Sequence, residues 1–244
     1  MSHLPVLIRR EFRAYFATPL AYVYLLVFLV LASALTFYMG GFYENEQADL
    51  QVFFAFHPWL YLFLLPALGM RLWSEERKSG SIELLLTLPV RMRELVLGKF
   101  LAAWLFAGMA LLLTFPLVLT VNFLGSPDNG AIVTGYLGSW LLAGAFLAVS
   151  ACLSANSTSP VVAFIMAVVV CFLFLLPGHA LVLDAFRGWA PQWWLDLLAS
   201  LSFLTRFQAI SRGVLDARDL LFFASFIIAW LLANGILLEL KKAD

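Results

Sequence analysis

Of the chain's 244 residues, 63% are hydrophobic and only 12% charged, about half the charged share of a soluble domain. A soluble fold of this length would carry more apolar surface than its interior could hide, so that class is excluded. Lysine plus arginine and aspartate plus glutamate balance at 15 each, which gives no sign of a nucleic-acid partner and leaves only the placement of the charges informative.

Taken in chain order, the first element is amphipathic. Leu4, Leu7, Ile8, Phe12, Tyr15 and Phe16 fall on one side of a helical wheel and Arg9, Arg10 and Arg13 on the other, while Glu11 intrudes on the apolar side. This fits a helix lying in the cytoplasmic interface of a lipid bilayer with its cations toward anionic headgroups. The plainer reading is a basic flank that orients the first span. Thr18-Pro19 ends the element.

Six apolar runs follow, at residues 20–39, 53–70, 100–124, 132–153, 161–183 and 220–238, none containing Asp, Glu, Lys or Arg. Runs of about 18 or more such residues match the thickness of the hydrocarbon layer. In lipid the backbone must satisfy its own hydrogen bonds, so each is read as a helix. The predicted fold class is an all-α membrane protein of six spans in a single domain over residues 1–244. Ala32-Ser33-Ala34 resembles a cleavage site, but the apolar run continues past it, so the first helix is read as retained. With the N-terminus inside, the inward segments hold Arg9, Arg10, Arg13, Arg71, Arg77, Lys78, Arg91, Arg93, Lys99, Lys241 and Lys242. The outward ones hold only Arg187, Arg206, Arg212 and Arg218. This asymmetry predicts that both termini are cytoplasmic.

The loop at residues 40–51 is short and acidic, and Gly125-Ser126-Pro127-Asp128-Asn129-Gly130 is a tight turn. Residues 184–219 are too polar to span and too apolar for a free loop. They predict one or two short helices that either dip into the outer leaflet or rest on it, with Trp189, Trp193, Trp194, Arg206 and Arg212 forming an outer cap. Pro191 suits a helix start, and Asp196 and Arg206 make a seventh span expensive.

No catalytic constellation is legible. Cys152 and Cys171 lie in or beside apolar runs and read as buried small hydrophobes, and His3, His57 and His179 share no metal-ligand spacing. Gly98-Lys99 lacks the upstream glycine of a phosphate loop. The spans hold only mild polar groups (Ser33, Thr36, Thr114, Ser139, Ser150, Asn234), read as packing contacts. Ion-coupled carriers need intramembrane carboxylates or broken helices, so the energy for any transport must come from elsewhere.

The informative segment is residues 74–99. Glu75, Glu76, Arg77 and Lys78 form a charged entrance; Ser79-Gly80-Ser81 permits a turn and a helix cap, with Glu83 placed to favour the new helix's N-terminus. Ile82, Leu84, Leu85, Leu86 and Leu88 make an apolar knob ended by Pro89. A short capped apolar helix with charged flanks suits a groove of a soluble partner; the alternative is an ordinary amphipathic loop.

Glu76, Arg77, Lys78, Gly80, Ser81, Glu83, Leu85, Pro89, Gly98 and Lys99 together resemble the segment after span two in permeases of ABC-2-type exporters, most closely the gliding-motility-associated subtype. Ser81 stands where threonine is common. The resemblance extends to the N-terminal basic helix, the six-span layout and the run Ser211 to Asp216. It implies a permease of the bacterial inner membrane that is not itself an enzyme, with ATP and Mg²⁺ bound by partner ATPase subunits, two copies expected. A second permease chain, identical or related, would complete the pathway. Residues 75–89 would be the coupling helix, braced by the N-terminal helix, and the outer cap would close the exit. The alternative function is a membrane anchor that transmits force from an ATPase without moving a solute.

Overall fold

The computed structural model describes residues 4–44, 48–82, 91–179, 182, 184 and 191–241. Among these residues the secondary structure is helical throughout. In order it comprises α1 (Leu4–Phe16), α2 (Pro19–Ala34) extended by a π-turn (Leu35–Met39), α3 (Gln51–Gly69) and α4 (Arg71–Lys78). Then come α5 (Met92–Leu112), α6 (Phe115–Leu124), α7 (Asn129–Asn156), α8 (Pro160–Leu175) with a 3₁₀ turn (Leu176–Gly178), α9 (Gln192–Leu201), α10 (Phe203–Ser211) and α11 (Ala217–Leu240). Six stretches are long and apolar enough to cross a membrane: Pro19–Met39, Gln51–Lys78, Met92–Leu124, Asn129–Asn156, Pro160–Gly178 and Ala217–Leu240.

These helices reach past the apolar runs at their charged ends. The second continues from the Leu-rich α3 into the polar α4, and the third begins with Arg93, Glu94 and Lys99 already helical. Proline punctuates the rest. Pro19 and Pro160 occupy first-turn positions of α2 and α8, where a missing N–H costs nothing. Pro116 separates α5 from α6, because it cannot donate to the carbonyl four residues back. Thr114 Oγ1 bonds the Leu111 carbonyl at this break (2.6 Å) and the Tyr136 hydroxyl across the bundle (2.7 Å).

α7 is the hub, the most buried of the six spans; α11, α3, α10, α8, α5 and α4 all pack on it. Small residues allow this. A Cβ at Gly144 would lie 2.9 Å from both Ile227 Cδ1 and the Trp104 indole, and one at Gly135 would lie 2.4 Å from the Phe54 ring. Without a hydrophobic force between helices in lipid, such close approach supplies much of the association. Trp104 and Trp140 stack at 4.2 Å between α5 and α7.

The polar residues within the spans divide. Thr36, Thr114 and Ser150 bond carbonyls of their own helices, Thr114 alone among them reaching across to another. Ser139 Oγ and the Asn234 amide are buried with no hydrogen-bond partner among the described residues.

Among the described residues between the fifth and sixth spans, two helices differ in character. α9 leaves Trp193 and Trp194 exposed, in an edge-to-face pair at 5.7 Å. α10 turns its apolar face into the bundle instead: Phe203, Phe207 and Ile210 are buried, and the Phe203 ring meets Phe146, Phe174 and Phe226 at 5.5, 5.3 and 4.8 Å.

Candidate functional site

The basic ends of the helices converge on one face of the bundle, around Lys99. This side chain lies on α5 at the start of an apolar run and is only 6% exposed. A buried ammonium must be paired. Its Nζ lies 2.6 Å from Glu76 Oε1 on α4 and 3.4 Å from Glu11 Oε2 on α1, and 5.3 Å over the Trp73 ring. Glu11 is also bonded by Arg10. Two cations thus face two carboxylates, and the knot is neutral. Burial alone would raise the Glu11 carboxyl, but Lys99 and Arg10 beside it outweigh that and hold it below its ordinary value. Glu11, the residue that spoiled the apolar side of the first helix, is therefore the one that docks it.

The same α4 is gripped from a second side by the end of α7. Ser154 Oγ accepts from the Trp73 and Ser74 amides (3.1 and 3.0 Å) and donates to the Met70 carbonyl (2.7 Å), which satisfies the backbone where α3 passes into α4. Arg77 Nη1 donates to the Ala155 carbonyl at 2.6 Å, and Lys241 Nζ to the Asn156 carbonyl at 3.0 Å and its side-chain oxygen at 2.8 Å. Two cations from neighbouring helices thus neutralise the negative C-terminal end of the hub. α4 then stops. Ser79 and Ser81 fold back toward the Glu76 carbonyl, and Gly80 adopts φ +72°, the left-handed conformation in which glycine is strain-free.

Of the residues singled out for coupling, Glu76 and Arg77 are drawn into this clamp, while Glu75, Lys78, Gly80 and Ser81 lie on its outward side, Glu75, Lys78 and Gly80 exposed. Glu83, Leu84, Leu85, Leu86 and Pro89 lie outside the described residues; Ile82, just before them, packs against the core. On α1, Arg10 joins the knot, Phe12 packs on Phe16 (5.4 Å), and Arg9 and Arg13 stay exposed. The cap residues sit at the other end of the bundle. There Arg206 Nη1 meets Asp219 at 2.7 Å, its Nε the Ser200 carbonyl at 2.8 Å, and its guanidinium lies 4.3 Å over Phe222. Gln51 Nε2 donates to the Ser211 carbonyl at 3.0 Å, which ties α10 to α3. Arg212 is exposed, and Trp189 lies outside the described residues.

Sequence reasoning missed the roles of Lys99, Glu11, Ser154, Lys241 and Asp219. Two of these carried a signal: a cation at the edge of an apolar run and an anion on an apolar helix face are each costly alone, and together they cancel.

The geometry is that of a strut. α4 continues a membrane span and is tied to α7 directly and to α5 and α1 through Lys99.

The sequence profile of the ABC-2 family transporter proteins matches residues 6–237, nearly the whole chain. No curated protein matches the sequence as a relative.

Proposed function

The chain belongs to the ABC-2 transporter family and is thus a multi-pass membrane permease component of an ABC transporter; on that premise we propose that residues 75–89 form the element through which ATPase subunits drive its spans. The observation that carries this reading is the double grip on α4, by Lys99 and Glu11 on one side and by Ser154 and Ala155 on the other. A docking helix transmits work only if its base does not yield. The exposed Glu75 and Lys78 suit the charged rim of a soluble partner's groove.

ATP and Mg²⁺ belong on the partner. The ammonium of Lys99 is engaged by two carboxylates and cannot cradle phosphates. The assembly would contain two ATPase copies and a second permease chain, identical or related, in a bacterial inner membrane with both termini cytoplasmic. In this reading transport is outward, and the chain resembles the gliding-motility-associated subtype.

The test is co-expression with candidate ABC ATPases, followed by copurification and vanadate-sensitive ATP hydrolysis. Glu83→Lys and a Leu84→Asp/Leu85→Asp pair are expected to abolish copurification while the chain still folds and inserts. A complex unaffected by both would place the docking element elsewhere.

A further inference from the structure

A long cleft of about 760 Å³ runs between α1, α5 and α7. Its walls include Ile8 and Phe12 of α1, Leu105 and Leu112 of α5, and Leu137 and Trp140 of α7. The polar atoms along these walls are already engaged: Trp140 Nε1 donates to the Trp104 carbonyl (3.3 Å), and the Tyr136 hydroxyl pairs with Thr114 (2.7 Å). Away from its Arg9 rim the cleft thus offers water few partners, and hydrocarbon suits the apolar wall. From Leu105 to Leu112 the wall rises about 10 Å at 1.5 Å per residue, most of the roughly 15 Å of one leaflet's hydrocarbon.

One charged group lines this cleft, and it lies on α1, the helix docked at the basic face. Arg9 is exposed, with neither an ion pair nor a hydrogen bond among the described residues, while its neighbour Arg10 is held by Glu11. Among the described residues no carboxylate lines the cleft. An apolar trough with a free guanidinium at its rim complements one kind of molecule: an amphiphile with an anionic phosphate head and an acyl tail.

We infer that this cleft is a binding site for one anionic phospholipid of the leaflet at the basic face, its phosphate on Arg9 and one chain along α5 and α7. This goes beyond the general attraction of a basic helix for a membrane, because it names a groove and a single cation. Bulk lipid tails are as apolar as the cleft, so the tail supplies shape rather than preference. Selectivity therefore rests on the headgroup, with a preference of about fivefold for one cation at the membrane surface.

The test uses the purified full chain in detergent, equilibrated with equal amounts of phosphatidylglycerol and phosphatidylcholine of identical chains, with retained lipid read by native mass spectrometry. Wild type is expected to keep one phosphatidylglycerol over phosphatidylcholine by about fivefold. Arg9→Gln is expected to fall to parity, Arg9→Lys to restore part of the preference, and Arg91→Gln, an equal charge change outside the cleft, to leave it intact. Leu112→Trp, which fills the trough, should lower retention of both lipids. The inference is overturned by parity in wild type, by an Arg9→Gln protein that keeps its preference, or by equal loss in Arg91→Gln, which would mean diffuse surface attraction only. A lipid-free dimer that Leu112→Trp dissociates would also overturn it, since the occupant would then be a second copy of the chain.

Discussion

Replacing Lys99 with methionine keeps the length and apolar stem of the side chain but deletes its ammonium. Arg10 still reaches Glu11 at 2.5 Å, whereas Glu76 loses its partner at 2.6 Å, and its other oxygen is already buried without one among the described residues. Two routes bound the cost. Leaving the carboxylate charged is the breaking of a buried pair, which costs about 3–5 kcal/mol. Protonating it instead, from an ordinary value of 4.5, costs about 3 kcal/mol at pH 7. The cheaper route sets the ceiling, and the 22% exposure of the Glu76 side chain lowers it, so a loss of about 2 kcal/mol is expected. For a chain of this size that corresponds to a fall of roughly 4–8 °C in melting temperature. Adding Glu76→Gln removes the stranded charge and should recover most of the loss. The assay is thermal unfolding of the four proteins of this double-mutant cycle in lipid nanodiscs at pH 7. If Lys99→Met melts with wild type, or if the two substitutions are simply additive, the knot does not hold α4 and the strut has no base.

Three further outcomes are expected. Gly144→Leu forces a side chain into Ile227 and Trp104 and should destabilise the bundle by about 1–3 kcal/mol, visible as aggregation on size exclusion; Gly235→Ala, at a position with open space around its Cβ, should behave as wild type. Because Glu11 is held below its ordinary value, its contribution to docking α1 is complete above that value and is lost as the pH falls through the lowered one. Spin labels at the exposed Val6 and Leu97 should accordingly broaden each other at pH 7 and separate in acid, and Glu11→Gln should remove the pH dependence. Arg206→Ala, which deletes the Asp219 pair and the contact over Phe222, should cost about 1–2 kcal/mol; hydrogen exchange across α10 and the first turn of α11 should accelerate, with Arg206→Lys intermediate.

The breaks that frame the candidate site were legible in the sequence, while the partners of Lys99, Glu11 and Ser154 were not. Ser79-Gly80-Ser81 signalled a turn, and Gly80 takes a positive φ there. Thr18-Pro19 marked the break after α1, which ends at Phe16. Among the described residues two short helices stand between the fifth and sixth spans, but the amphipathic pattern did not reveal that α10 would bury Phe203 and Phe207 inside the bundle while α9 left its tryptophans outside. A helix whose apolar face meets lipid and one whose apolar face meets protein have the same periodicity. The polar residues inside the spans were equally ambiguous: composition cannot distinguish Thr114, which reaches Tyr136, from Asn234, whose amide has no hydrogen-bond partner among the described residues.

Hydropathy alone determined that this chain is a bundle of six membrane helices with its cations gathered at one end, because transfer into lipid and backbone self-satisfaction act on each segment independently of the others. Partner choice was left to the tertiary structure. Glu11 and Lys99 are 88 residues apart, and Ser154 lies 84 residues from the carbonyl it bonds. Those pairings require the ends of α1, α4, α5 and α7 to meet, and the close approach of neighbours to the small residues of α7 is part of that packing. Close packing depends on which surfaces meet, and that is a property of the assembled bundle rather than of any one segment of the chain.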